Sequence, residues 1–279
     1  GIKDIFINNE KIYVSYIDQE KKDCYDLKII SANLNFEFLN FKEFFKPSNC
    51  IDTNNSHGYW PHQGAGGRIF LIDDNNILFT TGDFRNRPLA QNLKSDFGKI
   101  IKINLKSKKS TIVSSGHRNP QGLFYSKKFD FILSTEHGPK GGDEINFNYL
   151  NKTSKIKNFG WPIASYGEPY IGPNLFKKSH SKYGFIEPAI YFTPSIGISE
   201  ILYFKKNSFC KVRKCLLASS LRANSIYFLN FDNDNEQLVL VNRIHLKRNR
   251  IRDIDYDEDL DLVIMLSENI PSIVTLQKL

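Results

Sequence analysis

The sequence predicts an all-β protein and, within that class, a β-propeller. Short apolar strands follow one another at close, fairly even spacing between turn residues, and convincing amphipathic helices are absent. Strands in this arrangement are typical of sandwiches, barrels and radial repeats. The predicted strands cover residues 11–16, 26–30, 67–72, 77–81, 99–104, 110–113, 129–134, 201–204, 214–218, 225–230, 237–244, 252–256, 262–267 and 272–276.

A recurring hairpin pattern favours the propeller among these architectures. An apolar strand, a turn of Asp, Asn or Lys residues and a second apolar strand ending in polar residues occur at 68–82, 122–136 and 252–267. Each copy would form the inner hairpin of one blade. A period of roughly 40 to 60 residues fits blades enlarged by insertions. Residues 150–188, which contain many Gly, Pro and Tyr residues, are predicted to be such an insertion.

Composition and charge narrow the class of protein. The chain has 279 residues and is 41% hydrophobic, so we expect one domain, residues 1–279, with a substantial core. Its net charge of +8 is distributed over several basic runs without a nucleic-acid-binding motif, which predicts solvated surface and no nucleic-acid partner. No apolar run is long enough to span a membrane. The chain begins with glycine, and the sequence leaves open that an export signal has been removed.

The cysteines do not define a scaffold. Cys24, Cys50, Cys210 and Cys215 are too few for a disulfide framework and lack the spacing of a structural zinc site. A bridge between Cys210 and Cys215 would fit an oxidising compartment, and buried free thiols are the alternative that the sequence leaves open.

Two polar runs on either side of the predicted strand 129–134 contain most of the candidate functional residues. In the first run, 117–123, Arg118 and Asn119 place a guanidinium beside an amide. An arginine fork and an amide suit recognition of a planar, oxygen-rich anion. We therefore expect both runs to be loops that bind a ligand.

The second run, 136–146, suggests a hard cation. The turn at Gly138 and Pro139 can expose backbone carbonyl groups, and the carboxylates of Asp143 and Glu144 follow closely. Such oxygen atoms are the ligands that calcium prefers. The alternative is that glycine and proline only shape a turn.

Several further motifs, taken with these runs, resemble the soluble quinoprotein sugar dehydrogenases. This glucose/sorbosone dehydrogenase family consists of six-bladed β-propellers that use pyrroloquinoline quinone (PQQ) and calcium. Residues 5–33 resemble the family's second blade, so we expect the chain to start after the family's first blade, and about five blades are visible. A trimmed N-terminal blade, a smaller ring and a longer parent chain are all compatible with this. The matching motifs, in the family's order, are 61–63, 67–69, 81–86, 90–93, 98–100, the two polar runs, 158–162, 220–222 and 249–253.

The resemblance implies roles for individual residues. His62 would be the general base that takes the proton of the sugar's anomeric hydroxyl, since a neutral imidazole is a suitable acceptor near pH 7. The implied catalytic residues are His62, Asp83 and Arg118; the implied cofactor-binding residues are His62, Arg118, Asn119, Arg222, Arg250 and Arg252; the implied calcium ligands are Gly138, Pro139 and Glu144.

Arg250 and Arg252 meet a physical requirement for binding an anion. Side chains two residues apart on a strand point to the same face, so two guanidinium forks can converge on one anion. The alternative is that both belong to a solvated basic run that starts at Lys247.

The resemblance implies an enzyme that oxidises an aldose or related sugar to a lactone. Hydride would pass to PQQ, an external acceptor would take the electrons, and the protein would be periplasmic or secreted. A catalytically inactive propeller that binds a protein or another ligand is the main alternative. A propeller of the lactonase kind is a weaker one, because it would need acids and asparagines at the channel where cations dominate here.

Overall fold

The computed structural model describes residues 1–52, 63–151, 155–203, 215–232 and 237–277. These residues form five β-sheets arranged as the blades of a propeller, together with two short 3-10 helices, Arg87–Gln91 and Ser181–Tyr183. No helix in the described ranges has the length and apolar character needed to cross a membrane.

The five blades follow one another along the chain. Blade 1 contains β1 (Ile2–Asn8), β2 (Lys11–Lys21), β3 (Cys24–Asn33), β4 (Lys42–Phe45) and β5 (Ile51–Asp52). Blade 2 contains β6 (Gly66–Asp73), β7 (Asn76–Thr81), β8 (Lys99–Asn104) and β9 (Ser110–Ser115), with β13 (Lys157–Asn158) added parallel to β9. Blade 3 contains β10 (Pro120–Ser126), β11 (Phe131–Glu136), β12 (Asp143–Tyr149) and β14 (Ile190–Phe192). Blade 4 contains β15 (Ile198–Tyr203), β16 (Cys215–Ser220), β17 (Ser225–Asp232) and β18 (Gln237–His245). Blade 5 contains β19 (Ile251–Asp257), β20 (Leu262–Ser267) and β21 (Ser272–Gln277).

The first strand of each blade is its inner strand, and β1, β6, β10, β15 and β19 lie next to one another in that order around the centre. The core lies between the blades, because successive residues of a strand point to opposite faces of its sheet. On β16, Leu216 packs against blade 3 and Leu217 packs against blade 5, and both side chains are buried. Burial of each such side chain contributes about 1.5–3 kcal/mol to the free energy of unfolding.

The structure confirms the propeller prediction and the three inner hairpins, which are β6–β7, β10–β11 and β19–β20. The predicted insertion lies between β12 and β14 of blade 3. The prediction that both polar runs are loops is wrong in part, because β10 begins at Pro120 and β12 begins at Asp143. Strand β12 alternates polar and apolar residues but buries almost all of them, so its polar residues do not mark solvent exposure. That the chain is one domain stays a prediction.

A disulfide that the sequence did not predict joins Cys24 on β3 to Cys50, with 5.6 Å between their Cα atoms. The two cysteines were not recognised as partners because β3 and β5, which bring them together, are adjacent only in the folded sheet. Cys215 is also disulfide-bonded, so the described cysteines are not the free thiols that the sequence left open. Cys210 lies outside the described residues.

One buried arginine connects the inner strands of all five blades. Arg68 on β6 lies 2.7 Å from Glu200 on β15 and 3.1 Å from both Asp4 on β1 and Asp253 on β19. Its Nε also donates a hydrogen bond of 3.1 Å to the carbonyl oxygen of Gln121 on β10. The side chain of Arg68 is only 11% exposed, so these contacts are largely shielded from water.

This cluster has more acids than cations. One guanidinium is shared among Asp4, Glu200 and Asp253. Burial raises the pKa of Asp4, and it raises the pKa of Glu200 to about 8, even though the neighbouring Arg68 lowers both. The acids at the centre of the propeller therefore hold their protons to higher pH than exposed carboxyl groups do.

Replacement of Arg68 by methionine is expected to lower the free energy of unfolding by about 3–5 kcal/mol, because it leaves buried carboxylates without their cation. Denaturant titration followed by tryptophan fluorescence measures the change. Lys46→Met is the control, since Lys46 pairs with Glu20 at the surface and its loss should matter far less. Equal stability of R68M and K46M would show that the cluster does not hold the blades together.

The raised pKa of Glu200 predicts how stability depends on pH. Between the ordinary value of 4.5 and about 8, the folded state binds a proton that the unfolded state has released. The contribution of Glu200 to the free energy of unfolding is therefore fully present below this pH range and is lost as the pH rises through it. We expect Glu200→Gln to make the decline in unfolding free energy from about pH 5 to about pH 8 shallower than in the unsubstituted chain. Urea titrations at both pH values measure this decline in unfolding free energy, and an equal decline in E200Q and the unsubstituted chain would contradict the prediction.

Candidate functional site

A cavity of about 690 Å³ lies at the end of the propeller where the inner strands begin. All five blades contribute to its wall, and its floor includes Arg68. The cavity contains more basic than acidic side chains, which favours an anionic ligand. The ionisable lining residues other than histidine and tyrosine are Lys3, Arg68, Arg85, Arg118, Arg222, Arg252, Asp83, Asp143 and Glu268.

Most of the residues predicted from the sequence meet in this cavity. Those that line it are Asp83, Arg118, Asn119, Gly138, Pro139, Arg222 and Arg252. Arg250 and Glu144 do not line it. His62, the predicted general base, lies outside the described residues, so its place in the site stays a prediction.

The backbone of Arg118 and Asn119 is held by a buried carboxylate. Oε1 of Glu136 accepts hydrogen bonds from the backbone N–H groups of both residues, at 3.2 Å for Asn119. Oε2 of Glu136 contacts Nδ1 of His117 at 3.0 Å and accepts a hydrogen bond of 3.2 Å from Asn146. Glu136 therefore fixes the loop that presents the guanidinium and amide groups to the cavity.

His117 extends this arrangement away from the cavity. Its Nε2 lies 2.8 Å from the hydroxyl oxygen of Ser114, so Ser114, His117 and Glu136 stand in the order of a hydrolase triad. All three side chains are at most 5% exposed. A substrate cannot reach the serine, so the three residues support the loop and have no nucleophilic function.

The side chain of Arg118 is held in place by aromatic and backbone contacts. Its guanidinium lies over the ring of Trp161, 5.4 Å from the ring centre, and donates a hydrogen bond of 2.9 Å to the carbonyl oxygen of His137. The indole N–H of Trp161 in turn donates to Asp83 at 2.6 Å. Burial raises the pKa of Asp83 although the nearby Arg118 lowers it. Asp83, Arg118 and Trp161 thus form one connected wall.

The orientation of the Asn119 amide follows from its partners. Its Oδ1 accepts hydrogen bonds from the backbone N–H of Gly66 at 3.1 Å and from the side chain of Gln121 at 2.9 Å. Its Nδ2 therefore faces Nδ1 of His137, at 3.3 Å. Burial lowers the pKa of His137, which leaves this imidazole neutral and able to accept the hydrogen bond at Nδ1.

The Gly138–Pro139 turn is shaped by Asp143. The carboxylate of Asp143 accepts hydrogen bonds from the backbone N–H groups of Gly138 at 3.1 Å and Gly197 at 2.6 Å, which connects blades 3 and 4 at the cavity. A Cβ atom at Gly138 would collide with the backbone oxygen of Gly142, so the turn requires glycine there. Asp143 was expected beside a cation, but backbone N–H groups occupy its oxygens.

Glu144 lies behind this turn, where it lines a small second cavity together with Gly138 and Pro139. Its carboxylate is 3.4 Å from Nδ2 of Asn146 and 4.0 Å from His180. Burial and the neighbouring Glu136 raise its pKa well above the ordinary value. No cluster of three or more His, Cys, Asp or Glu side chains suited to a metal occurs within the ranges that the structure describes. Calcium binding by Glu144 stays a prediction.

The two arginines at the start of blade 5 do converge on an anion, and this anion is a side chain of the protein. Glu268 follows β20, and its carboxylate lies 3.3 Å from Nε of Arg250 and 2.6 Å from Nε of Arg252. Nη1 of Arg252 also donates to Oε1 of Gln121 at 2.9 Å. Only Arg252 of this pair lines the cavity.

Four charged lining residues were missed by sequence reasoning: Lys3, Arg68, Arg85 and Glu268. Lys3 lies on β1, a strand that the pattern did not reveal, and burial together with nearby Arg252 lowers its pKa. Arg85 lies in the motif 81–86, where its positive φ of 65° places it in a tight turn. Glu268 follows a predicted strand, and only the fold places it beside two arginines.

Replacement of Glu136 by alanine is expected to lower the free energy of unfolding by about 1–3 kcal/mol, because several buried N–H groups lose their acceptor. Glu136→Gln should cost less, since its carbonyl oxygen can still accept the two backbone hydrogen bonds. Denaturant titration of both variants measures the difference. Equal losses for alanine and glutamine would show that packing of the side chain, and not its acceptor oxygen, stabilises the loop.

Comparisons with known proteins agree with the fold and the motifs. Aldose sugar dehydrogenase YliI of Escherichia coli is 27% identical over 219 residues, which are 73% of this chain and 57% of that protein. Quinoprotein glucose dehydrogenase B of Acinetobacter calcoaceticus is 30% identical over 131 residues, covering 36% of this chain and 26% of that protein. This chain spans little more than half the length of the first curated relatives that it matches.

A solved structure and a family model extend the likeness over nearly the whole chain. The apo-form structure of soluble aldose sugar dehydrogenase from Escherichia coli has a TM-score of 0.78 at 23% identity, covering 95% of this chain and 77% of that one, which shows the shared fold. The Glucose / Sorbosone dehydrogenase family model matches residues 2–274. The chain therefore belongs to the glucose/sorbosone dehydrogenase family.

Proposed function

We propose that the protein is a quinoprotein oxidoreductase that oxidises an aldose or related sugar at the anomeric carbon to a lactone. The observation that carries this proposal is the meeting of Arg118, Asn119, Arg222 and Arg252 on one cavity, beside the Gly138–Pro139 turn. These residues come from blades 3, 4 and 5 and are separated in the sequence, so their common location favours a ligand-binding role over a solvated basic surface.

The chemistry of the cavity fits PQQ, which is a tricarboxylate. Guanidinium groups are well suited to carboxylates because their N–H donors match both carboxylate oxygens. A volume of about 690 Å³ lies within the range of cofactor and small-molecule sites. Arg118, Asn119, Arg222 and Arg252 would hold the carboxylate groups, and backbone carbonyls at Gly138 and Pro139 would provide oxygen ligands for calcium.

When bound, the quinone would supply the redox chemistry by accepting the hydride of the anomeric carbon. The protein would supply the base and the position of the reactants. His62 would take the proton of the anomeric hydroxyl, and Arg118 would orient its ligand from the wall that it shares with Trp161 and Asp83. Asp83, which is buried and bonded to Trp161, would act by holding that wall in place.

Two further observations support the remaining parts of the proposal. The similarity to an aldose sugar dehydrogenase and to a quinoprotein glucose dehydrogenase supports a sugar substrate and a quinone cofactor. The disulfide between Cys24 and Cys50 supports an oxidising location such as the periplasm or the cell exterior. An external acceptor would take the electrons from the reduced cofactor.

Titration of the purified chain with PQQ, with and without calcium, tests this function. We expect calcium-dependent binding, followed by bleaching of the quinone absorbance when an aldose is added. His62→Ala should abolish the bleaching and leave PQQ affinity within about twofold, because a general base contributes to the reaction and little to cofactor binding.

The outcomes separate the alternatives. Tight binding of PQQ without reduction by a panel of aldoses would refute the sugar-oxidation step. No binding at all would refute the quinoprotein assignment and favour a propeller that acts in recognition. Equal loss of binding and turnover in H62A would show that His62 has a structural role.

A further inference from the structure

The cation pair at the start of blade 5 is already engaged by the protein's own carboxylate. Both guanidinium groups contact Glu268, and the backbone N–H of Glu268 donates a hydrogen bond of 2.9 Å to the carbonyl oxygen of Arg250. This backbone contact holds the start of the Glu268 side chain beside the arginines. In this arrangement Glu268 occupies the position that an anionic ligand of Arg252 would take.

The contact lies where a ligand could replace it. Arg252 and Glu268 both line the large cavity, and their side chains are 40% and 34% exposed. Ion pairs with this degree of exposure contribute little net stability, because water screens both charges. The pair therefore resembles a displaceable contact more than a structural one such as the buried cluster around Arg68.

We propose that Glu268 is a built-in competitor for the anionic ligand of this site. In the ligand-free protein it neutralises Arg250 and Arg252, and a ligand carboxylate displaces it from Arg252. This inference rests on the proposed function, since it concerns the site assigned there to a tricarboxylate.

The competition favours ligands with several carboxylates. A monocarboxylate that binds Arg252 must displace a tethered carboxylate whose effective concentration is high. A ligand with more anionic groups gains further contacts with Arg118 and Arg222 on other parts of the wall, which compensate for the displacement. Glu268 thus sets a threshold of ligand charge and thereby contributes to specificity.

Removal of this charge should strengthen binding of a polyanion. We expect Glu268→Gln to lower the dissociation constant of citrate, a tricarboxylate without a quinone, roughly fivefold at low salt, as expected for one charge at contact distance in water. The gain should shrink at high ionic strength. Isothermal titration calorimetry of citrate and of PQQ measures both effects.

The matched control is Asp259→Asn, which makes the same change in net charge at an exposed position in the hairpin between β19 and β20, outside the cavity wall. This variant should bind citrate as the unsubstituted chain does. Addition of Arg252→Gln to E268Q should remove the gain, because the freed guanidinium is then absent.

The result that overturns the proposal is citrate affinity that is unchanged or weaker in E268Q, which would mean that Glu268 orients the arginines for the ligand. An equal gain in D259N would overturn it as well, since the effect would then come from net charge. Binding of citrate without binding of PQQ would refute the proposed cofactor alone, and the fivefold effect on citrate would still support the competition.

Discussion

The guanidinium of Arg68, which belongs to the inner strand of blade 2, contacts the inner strands of the other four blades, and the arrangement of the propeller depends on it. These contacts are made with Asp4, Gln121, Glu200 and Asp253. Replacement of a buried ionic cluster by apolar residues is often neutral for stability, so the specific value of such a cluster lies in the geometry that it selects. Here it fixes the strands relative to one another directly beneath the cavity.

This cluster also explains how the cavity above it keeps its positive character. Arg68 is neutralised by three carboxylates that lie at or below the cavity floor. Glu136 and Asp143 are engaged by backbone N–H groups and are therefore not available to the cavity cations. Because the nearby acids have these other partners, Arg118 and Arg222 can provide a field that attracts anions.

The fold could be predicted from the sequence wherever one pattern dominated a strand. Strands β7 and β20 are apolar and bounded by turn residues, so they were recognised. Strand β1 was not recognised because its apolar residues lie on both faces and three of the four, Ile2, Ile5 and Ile7, are exposed. Strand β12 was not recognised for the opposite reason, since Asn146 and Asn148 are polar yet buried. In both cases neighbouring blades, which the local sequence does not encode, determine which side chains meet water.

The residues of the site could likewise be predicted from the sequence only where their function does not depend on distant partners. Arg118 and Arg252 could be identified because each stands in a recognisable motif, Arg118 beside the amide of Asn119 and Arg252 two residues after Arg250. The function of a carboxylate depends on its partner, and Glu136, Asp143 and Glu268 find theirs only in the folded chain. Glu136 and Asp143 accept hydrogen bonds from loop backbone and thereby hold the cavity wall, while Glu268 lies at the end of β20 and contacts the cations of the cavity. Acids close to a cationic site thus differ in function according to whether they face backbone N–H groups or guanidinium groups, and their exposure separates the two cases. Acids that face backbone N–H groups are buried and hold the site. The acid that faces guanidinium groups is exposed and can yield to a ligand.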